Sequence, residues 1–353
     1  MAQQSQLFTS GHFQTIDLSS ANDQVIIEDQ IYGQFTVTEP VLVELLRSPA
    51  VVRLAGVHQH GISGLLRLTP PVSRMEHSVG AFLLVRLVGG AVDEQVAGLL
   101  HDISHTAMSH VVDFALSAPG EGSFHEVHKM RYVMKTQIPE ILARHGFTDL
   151  RPLEEVLYPL VEQDAPHLCA DRLDYGLRDA VGFGHMSLED AQSVLKSLKA
   201  VPSSSHPKRI LVLQDPQLAL ALAKAYMACD KEVWGNTAHG DIYIRTANLM
   251  KTLIRNGSVH EDELWTLSDA EFWIRMRQAA DAEGQKAMDR LETEGLPDEK
   301  GLPLPRSAKV RTIDPDMLLA HTEQPLPLSV VLPEYAAEKQ DYIKIRRALY
   351  APA

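Results

Sequence analysis

Cysteine is nearly missing from this 353-residue chain: Cys169 and Cys229 stand alone, with no Cys-x-x-Cys pair. That excludes a disulfide-stapled scaffold and a thiolate-rich metal cluster. No apolar run reaches about 18 residues without a charge or a helix breaker, so no membrane-spanning helix is expected. The opening MAQQSQLFTS is polar where a secretory signal would be basic and then apolar. Together these point to an intracellular chain in a reducing compartment, expected in the cytoplasm with the nucleus left open. Positive charge is also scarce, 33 Lys and Arg against 46 Asp and Glu, for a formal net charge of -13. Proteins that coat duplex nucleic acid need clustered Lys and Arg, so that class is not expected. A small anionic substrate held in a local basic pocket remains compatible with such a chain. The hydrophobic share of 45% is normal for a globular protein and supports a sizeable core. No internal repeat is present.

The chain divides into four stretches. Residues 1–23 form a polar N-terminal segment. Residues 24–200 begin with β-branched runs on either side of EDQIYGQ, where Gly33 suits a turn, and the spacing predicts a hairpin that feeds a helix at Pro40. The segment from His77 to His105 then carries apolar residues at three- and four-residue spacing in two runs split by Gly89-Gly90. This predicts two packed helices, apolar nearly all round and therefore central. Residues 201–294 continue the helical body, with a loop and a strand near residue 210, then helical stretches over 216–253 and 268–291. Residues 295–353, rich in Pro and Gly, predict a small mixed α/β layer that includes the extended-looking AKVRTID. The fold class is mostly α, a helical bundle with a short leading hairpin.

Histidine is concentrated where cysteine is absent. Five of 16 histidines (His101, His105, His110, His125 and His128) lie in residues 101–128, against about 1.3 expected from even spreading. His77 lies one helix upstream, and CADRLDYGLRDA brings Asp171, Asp174 and Asp179 about 70 residues later. Imidazole with carboxylate suits a divalent metal without any thiolate. His101 and Asp102 leave a helix in directions roughly 100° apart and can still converge on an ion at the helix end.

With these stretches in view, RMEHS (74–78), LLHDISHTAMSH (99–110), FHE (124–126) and ADRLDYGLRD (170–179), the chain resembles the HD-domain phosphohydrolases, in particular their deoxynucleoside triphosphate triphosphohydrolase branch. The resemblance spans about residues 24–275 and is strongest over 50–182. It implies an HD-domain helical bundle and a divalent metal (Mn, Fe, Mg, Zn or Ni) held by His77, His101, Asp102 and Asp171. The implied reaction is attack of metal-activated water on the α-phosphorus, releasing nucleoside and triphosphate. His105 would reach the phosphates, His125 would protonate the leaving sugar oxygen, and Glu126 would orient an imidazole. Arg74 would offset phosphate charge, and Gln59, Tyr175 and Asp179 would lie along the sugar. The chain departs from the branch at Ser104 and Ala107, where glycine and proline are common. Members often form symmetric oligomers, and a homo-oligomer is the expectation here.

Several residues have plainer readings. His110 and His128 fit structural roles, although a two-metal site would draw on His125, His128 and His167, the last expected to share a helix face with Asp171. Asp174 and Arg178 form an i,i+4 pair with Arg172 near them, which fits either a salt-bridged helix surface or a phosphate-facing role for one of the two arginines. Asn236 and His239 are polar enough to line a nucleotide pocket. Three rival functions stay open: a hydrolase of nucleoside monophosphates or phosphodiesters, a di-iron oxygenase, and a non-catalytic nucleotide sensor.

Overall fold

The computed structural model describes residues 11–19, 23–118, 120–305, 308–320, 322 and 324–350. Three strands open it: Phe13–Asp17 (β1), Val25–Asp29 (β2) and Gly33–Val37 (β3). β2 and β3 are the expected hairpin, with Asp29 opposite Gly33. Asp29 closes its turn by accepting the backbone N–H of Ile31 at 2.8 Å and of Tyr32 at 3.1 Å, and Gly33 takes a φ of +86°. β1 is an additional strand, drawn from the segment read as merely polar. A bulge between Phe13 and Thr15 breaks its two-residue alternation, so buried Phe13 and Ile16 sit three apart and the strand pattern is hidden.

The helical body begins at Pro40–Arg47 (α1) and centres on Arg74–Leu87 (α2) and Val92–Leu100 (α3), which flank Gly89-Gly90 as the spacing predicts. α2 is buried along its whole length from Arg74 to Val85, the position an all-round apolar helix requires. Ala170–Gly182 (α4) packs against α2, and Gly80 makes the approach possible: a Cβ there would lie 1.7 Å from Asp174 Oδ1. Pro216–Cys229 (α5) packs on α4, and Thr237–Arg255 (α6) packs on the short helix Val111–Leu116. The stretch predicted as one helix over 216–253 is interrupted by a wide turn at Asp230–Trp234. Asn236 restarts it, accepting the backbone N–H of Ala238 and His239. The stretch over 268–291 likewise splits into Asp269–Ala279 (α7) and Ala282–Glu294 (α8), capped by Ser268 and Asp281.

A second sheet runs Leu198–Val201 (β4), Ile210–Leu213 (β5), Asp316–Met317 (β6) and Leu326–Pro327 (β7), in that order. β5 and β6 are parallel and the other pairs antiparallel. The C-terminal layer is therefore completed by a hairpin from the preceding segment, and the short helix Leu328–Val331 packs on the sheet and on Pro333–Arg347 (α9). Among the described residues no helix is long and apolar enough to cross a membrane.

Candidate metal centre and active site

Three separate elements bring the expected ligands to one point. His77 comes from the first turns of α2, His101 caps the C-terminus of α3 with Asp102 directly after it, and Asp171 lies in the first turn of α4. His77 Nε2 lies 3.0 Å from Asp171 Oδ1, 3.1 Å from His101 Nε2 and 3.5 Å from Asp102 Oδ2. His101 Nε2 is 3.5 Å from Asp171 Oδ1 and 3.7 Å from Asp102 Oδ2. Ligand atoms about 2.1 Å from one shared ion stand about 3.0–3.4 Å apart in octahedral or tetrahedral arrangements, so these separations fit a single ion.

The outer contacts of the imidazoles support the same conclusion. His77 Nδ1 faces Asp174 Oδ2 at 2.7 Å, and His101 Nδ1 faces the Gly98 carbonyl at 2.8 Å. Each Nδ1 therefore carries the proton, and two Nε2 lone pairs meet with no proton between them, an arrangement that calls for a cation. Without one, burial disfavours the His101 imidazolium, yet the Asp102 and Asp171 carboxylates override burial and raise it to about 10. His77 is raised as well: burial opposes its charged form, and Asp171 and Asp174 outweigh it. Asp102 is held well below the usual carboxylate range against burial, by the surrounding cationic groups including Arg74. This pocket fits a divalent metal.

Asp102 also faces a second set of groups. Its Oδ2 accepts from Arg74 Nη1 at 2.5 Å, while its Oδ1 lies 3.4 Å from His105 Nε2 and 3.9 Å from His125 Nε2. His105 and His125 stack with ring centroids 3.6 Å apart, and His105 Nε2 is buried without a hydrogen-bond partner. Burial pushes His105 well below its usual range and His125 down to about 3, so both rings are neutral near pH 7. His110 stands beside them, its Nδ1 2.9 Å from Asp113 Oδ2. The nitrogens of His105, His110 and His125 lie within 4.8 Å of one another. The helix does not persist to His105 as its four-residue spacing from His101 would suggest. α3 ends at Leu100, and turns carry the chain on to His105.

The loop that follows keeps its shape without the glycine and proline of the resembled branch. Met108 and Ser109 both take positive φ, 66° and 46°. Asp269, at the start of α7, accepts the Met108 backbone N–H at 2.7 Å and also binds His58, through its backbone N–H and its Nδ1, each at 2.8 Å. Ser109 Oγ donates to the His58 carbonyl at 2.6 Å.

The remaining expected residues divide. Gln59 is beside Arg74, whose Nη2 donates to the Gln59 carbonyl, and Gln59 Oε1 is buried with no partner. The Tyr175 ring is 6.2 Å from the His77 ring and forms an aromatic cluster with Tyr226 and Trp234. Asp179 is buried and each of its oxygens has a partner, His60 Nε2 at 3.0 Å and Trp234 Nε1 at 2.7 Å. Glu126 is exposed and makes no hydrogen bond to an imidazole among the described residues. His167 does not share a helix face with Asp171, because α4 begins at Ala170. Its Nδ1 instead faces Asp316 Oδ2 at 2.7 Å.

Arg178 lies neither on a helix surface nor toward a phosphate. It is fully buried and donates to Asp29 at 2.9 Å, Glu76 at 2.9 Å and Asp174 at 3.0 Å. Asn236 caps α6, and His239 pairs with Ser63 Oγ at 2.8 Å. Glu162 was not anticipated: it joins Cys169 and Asp171 beside the centre, where burial and the Asp171 charge push its carboxyl up to about 7.

Comparison with known proteins gives this geometry its family. A metal-dependent phosphohydrolase of the fungus Cordyceps militaris, cns2, is 55% identical over 338 residues, covering 96% of this chain and 97% of that protein. The chain belongs to the metal-dependent phosphohydrolases. A phosphohydrolase structure from Bacteroides thetaiotaomicron shares the fold, with a TM-score of 0.55 at 20% identity over 77% of each chain. A Dictyostelium discoideum homologue of the deoxynucleoside triphosphate triphosphohydrolase SAMHD1 is 23% identical, over 52% of this chain and 41% of its own length. No family model matches the chain. These relatives agree with the HD-domain phosphohydrolase class read from the four motifs.

Proposed function

We propose that this protein hydrolyses a phosphate ester of a nucleotide, with a deoxynucleoside triphosphate cleaved to deoxynucleoside and triphosphate as its first substrate. The observation that carries this reading is the pair of stacked histidines, His105 and His125, whose Nε2 atoms lie 3.4 and 3.9 Å from Asp102 Oδ1 while Asp102 Oδ2 faces His77 and His101. A divalent ion held by His77, His101, Asp102 and Asp171 would supply a Lewis acid and an activated water. Asp174 and the Gly98 carbonyl fix the tautomers that present both Nε2 lone pairs. His125, whose Nε2 is 3.9 Å from Asp102 Oδ1, would take up and hold the proton that the departing sugar oxygen needs once the negative charge of a bound phosphate raises it from about 3, and His105 would orient it. Gln59 Oε1, an unpartnered acceptor, suits a sugar hydroxyl, and the Tyr175 ring lies 6.2 Å from that of His77. A homo-oligomer accompanies this reading as an expectation.

One observation favours a second reading, hydrolysis of a nucleoside monophosphate. The arginines nearest the centre are already committed: Arg74 to Asp102, Arg172 to Glu162 and to the His167 and Gln163 carbonyls, and Arg178 to its three carboxylates. A triphosphate brings more negative charge than one metal and Arg74 can offset. Anion-exchange chromatography after incubation with Mn²⁺ separates the two readings. Deoxynucleoside plus triphosphate from dATP supports the first, and orthophosphate from AMP with dATP untouched supports the second.

A further inference from the structure

Three consecutive carbonyls in the loop that follows α3, those of Ile103, Ser104 and His105, are each held by a side chain from a distant part of the chain. Arg53, in the single turn Arg53–Gly56, donates through Nη2 to the Ile103 carbonyl at 3.0 Å and to the His105 carbonyl at 2.8 Å. Trp265, which closes the turn Glu261–Trp265, donates through Nε1 to the Ser104 carbonyl at 2.9 Å. The two donors are themselves tied to one scaffold. Arg53 Nε donates to the Tyr132 hydroxyl at 3.1 Å, and the Trp265 ring stacks with Tyr132 at 6.2 Å and with Phe124 at 5.6 Å between centroids. Phe124 immediately precedes His125, so the same indole meets the chain beside both members of the stacked histidine pair.

Ser104 closes the circuit. Its hydroxyl, fully buried, donates to the His125 carbonyl at 2.9 Å. One side chain thus ties the backbone next to His105 to the backbone of His125, 21 residues further on. Glycine, common at this position in the resembled branch, has no such donor, and the backbone does not call for it, because Ser104 takes no positive φ. Ala107 repeats the pattern: its N–H donates to the Leu264 carbonyl at 2.8 Å, a bond that the proline common there in the branch could not make. Both departures from the branch motif therefore serve to dock the histidine loop, one onto His125 and the other onto the segment that carries Trp265.

We infer that Ser104, backed by Trp265, is a positioning residue that holds the His105 and His125 rings face to face, so that both Nε2 atoms stay aimed at the outer oxygen of Asp102. The rings stand 3.6 Å apart between centroids at an interplanar angle of 22°. His105 Nε2 is buried without a hydrogen-bond partner, so no bond at the tip of that ring fixes its direction. The alignment has to come from the two backbones, and the Ser104 hydroxyl is the direct link between them. What the aligned pair does rests on the phosphohydrolase reading above, whereas how it is held rests on these hydrogen bonds alone. A proton-handling group displaced by about 1 Å can lose about a hundredfold in rate, which sets the scale of the expected effect.

The test pairs turnover of dATP and AMP by the Mn²⁺-loaded protein with NMR of the full-length, Zn²⁺-loaded protein labelled at histidine Cε1, as wild type, Ser104→Ala and Trp265→Phe. His105→Gln and His125→Gln assign the two signals. In wild type each Hε1 proton should be displaced upfield by the facing ring. Ser104→Ala keeps the Cβ and removes only the hydroxyl; it should return both signals toward those of free histidine and lower kcat about tenfold to a hundredfold, with KM and metal content held. Trp265→Phe keeps an aromatic ring beside Phe124 and removes the donor to the Ser104 carbonyl, so it should move both readouts the same way by less. Unmoved signals with unchanged kcat in Ser104→Ala overturn the inference, as does a kcat loss that accompanies loss of metal. Displaced signals with full kcat would remove the stacked pair from the reaction, and the inference with it. If Ser104→Ala displaces the signals while wild type turns over no nucleotide, the positioning stands and the proposed reaction falls.

Discussion

Asp174→Asn perturbs the metal centre without touching a ligand. The Asp174 carboxylate is fully buried between α2 and α4. Its Oδ2 accepts from His77 Nδ1 at 2.7 Å, its Oδ1 accepts from the Tyr32 hydroxyl at 2.7 Å, and Arg178 Nε lies 3.0 and 3.1 Å from the two oxygens. Asparagine keeps one acceptor and introduces a donor. If the oxygen stays on His77, the new NH₂ meets Arg178 Nε donor against donor and the Tyr32 hydroxyl must turn to accept from it, leaving its own proton without that partner, at a cost of about 1–3 kcal/mol for a buried unmatched group. If the NH₂ turns to His77 instead, Nδ1 must become the acceptor and the proton moves to Nε2, where it blocks the metal. Arg178 keeps Asp29 and Glu76 in either case, so the loss stays below the roughly 3–5 kcal/mol of a broken buried ion pair. The variant should fold, lose about 1–3 kcal/mol to urea in EDTA, and bind Mn²⁺ about 10- to 100-fold more weakly in competition with a fluorescent chelator. A variant that is less stable yet titrates Mn²⁺ like wild type would refute this role for Asp174.

Three further outcomes follow from the same geometry. Gly80→Ala would place a Cβ 1.7 Å from Asp174 Oδ1 and 2.6 Å from Arg178 Nη2. It should cost more than about 3 kcal/mol or prevent soluble expression, and an unchanged melting temperature would contradict the close approach of α2 and α4. His125→Ala should lower kcat about 10²- to 10⁴-fold while metal content holds, whereas loss of metal would make His125 a ligand. Burial, aided by the His60 charge, depresses His239 to about 4. Its folded value is thus below the unfolded value of about 6.5. The stability from neutral His239 is complete above about pH 6.5 and drains as pH falls toward 4, by about 2 kcal/mol between pH 6.5 and 5. Urea curves at pH 7 and pH 5 should therefore converge in His239→Gln relative to wild type, and identical pH slopes would count against the assignment.

The parts of the site that were legible in the sequence are those whose chemistry is carried by adjacent residues. His101-Asp102, the His77 turn and the Asp171 segment each announce a metal ligand, and the structure brings them within one ion's reach. Helix existence was equally plain where apolar residues recur all round, as in α2 and α3. What stayed hidden depends on distant partners. Asp174 looks like one half of a surface pair with Arg178 until β2 supplies Asp29, β3's leading turn supplies Tyr32 and α2 supplies Glu76 and His77. His167 looks like a ligand until the start of α4 at Ala170 leaves it outside the helix. The β1 bulge hides a strand by moving Phe13 and Ile16 out of alternation.

The central claim is that His77, His101, Asp102 and Asp171 hold one divalent ion and that this ion is required for phosphate-ester hydrolysis. The direct measurement is metal content per chain, paired with phosphate-ester turnover, in wild type and in His101→Ala with Asp102→Ala. The account predicts one ion per wild-type chain with nucleotide turnover, and loss of both in a variant that still folds. Two irons per chain with no turnover of any nucleotide would contradict it, because the group formed by His105, His110 and His125 would then be a second metal site and the chemistry that of an oxygenase.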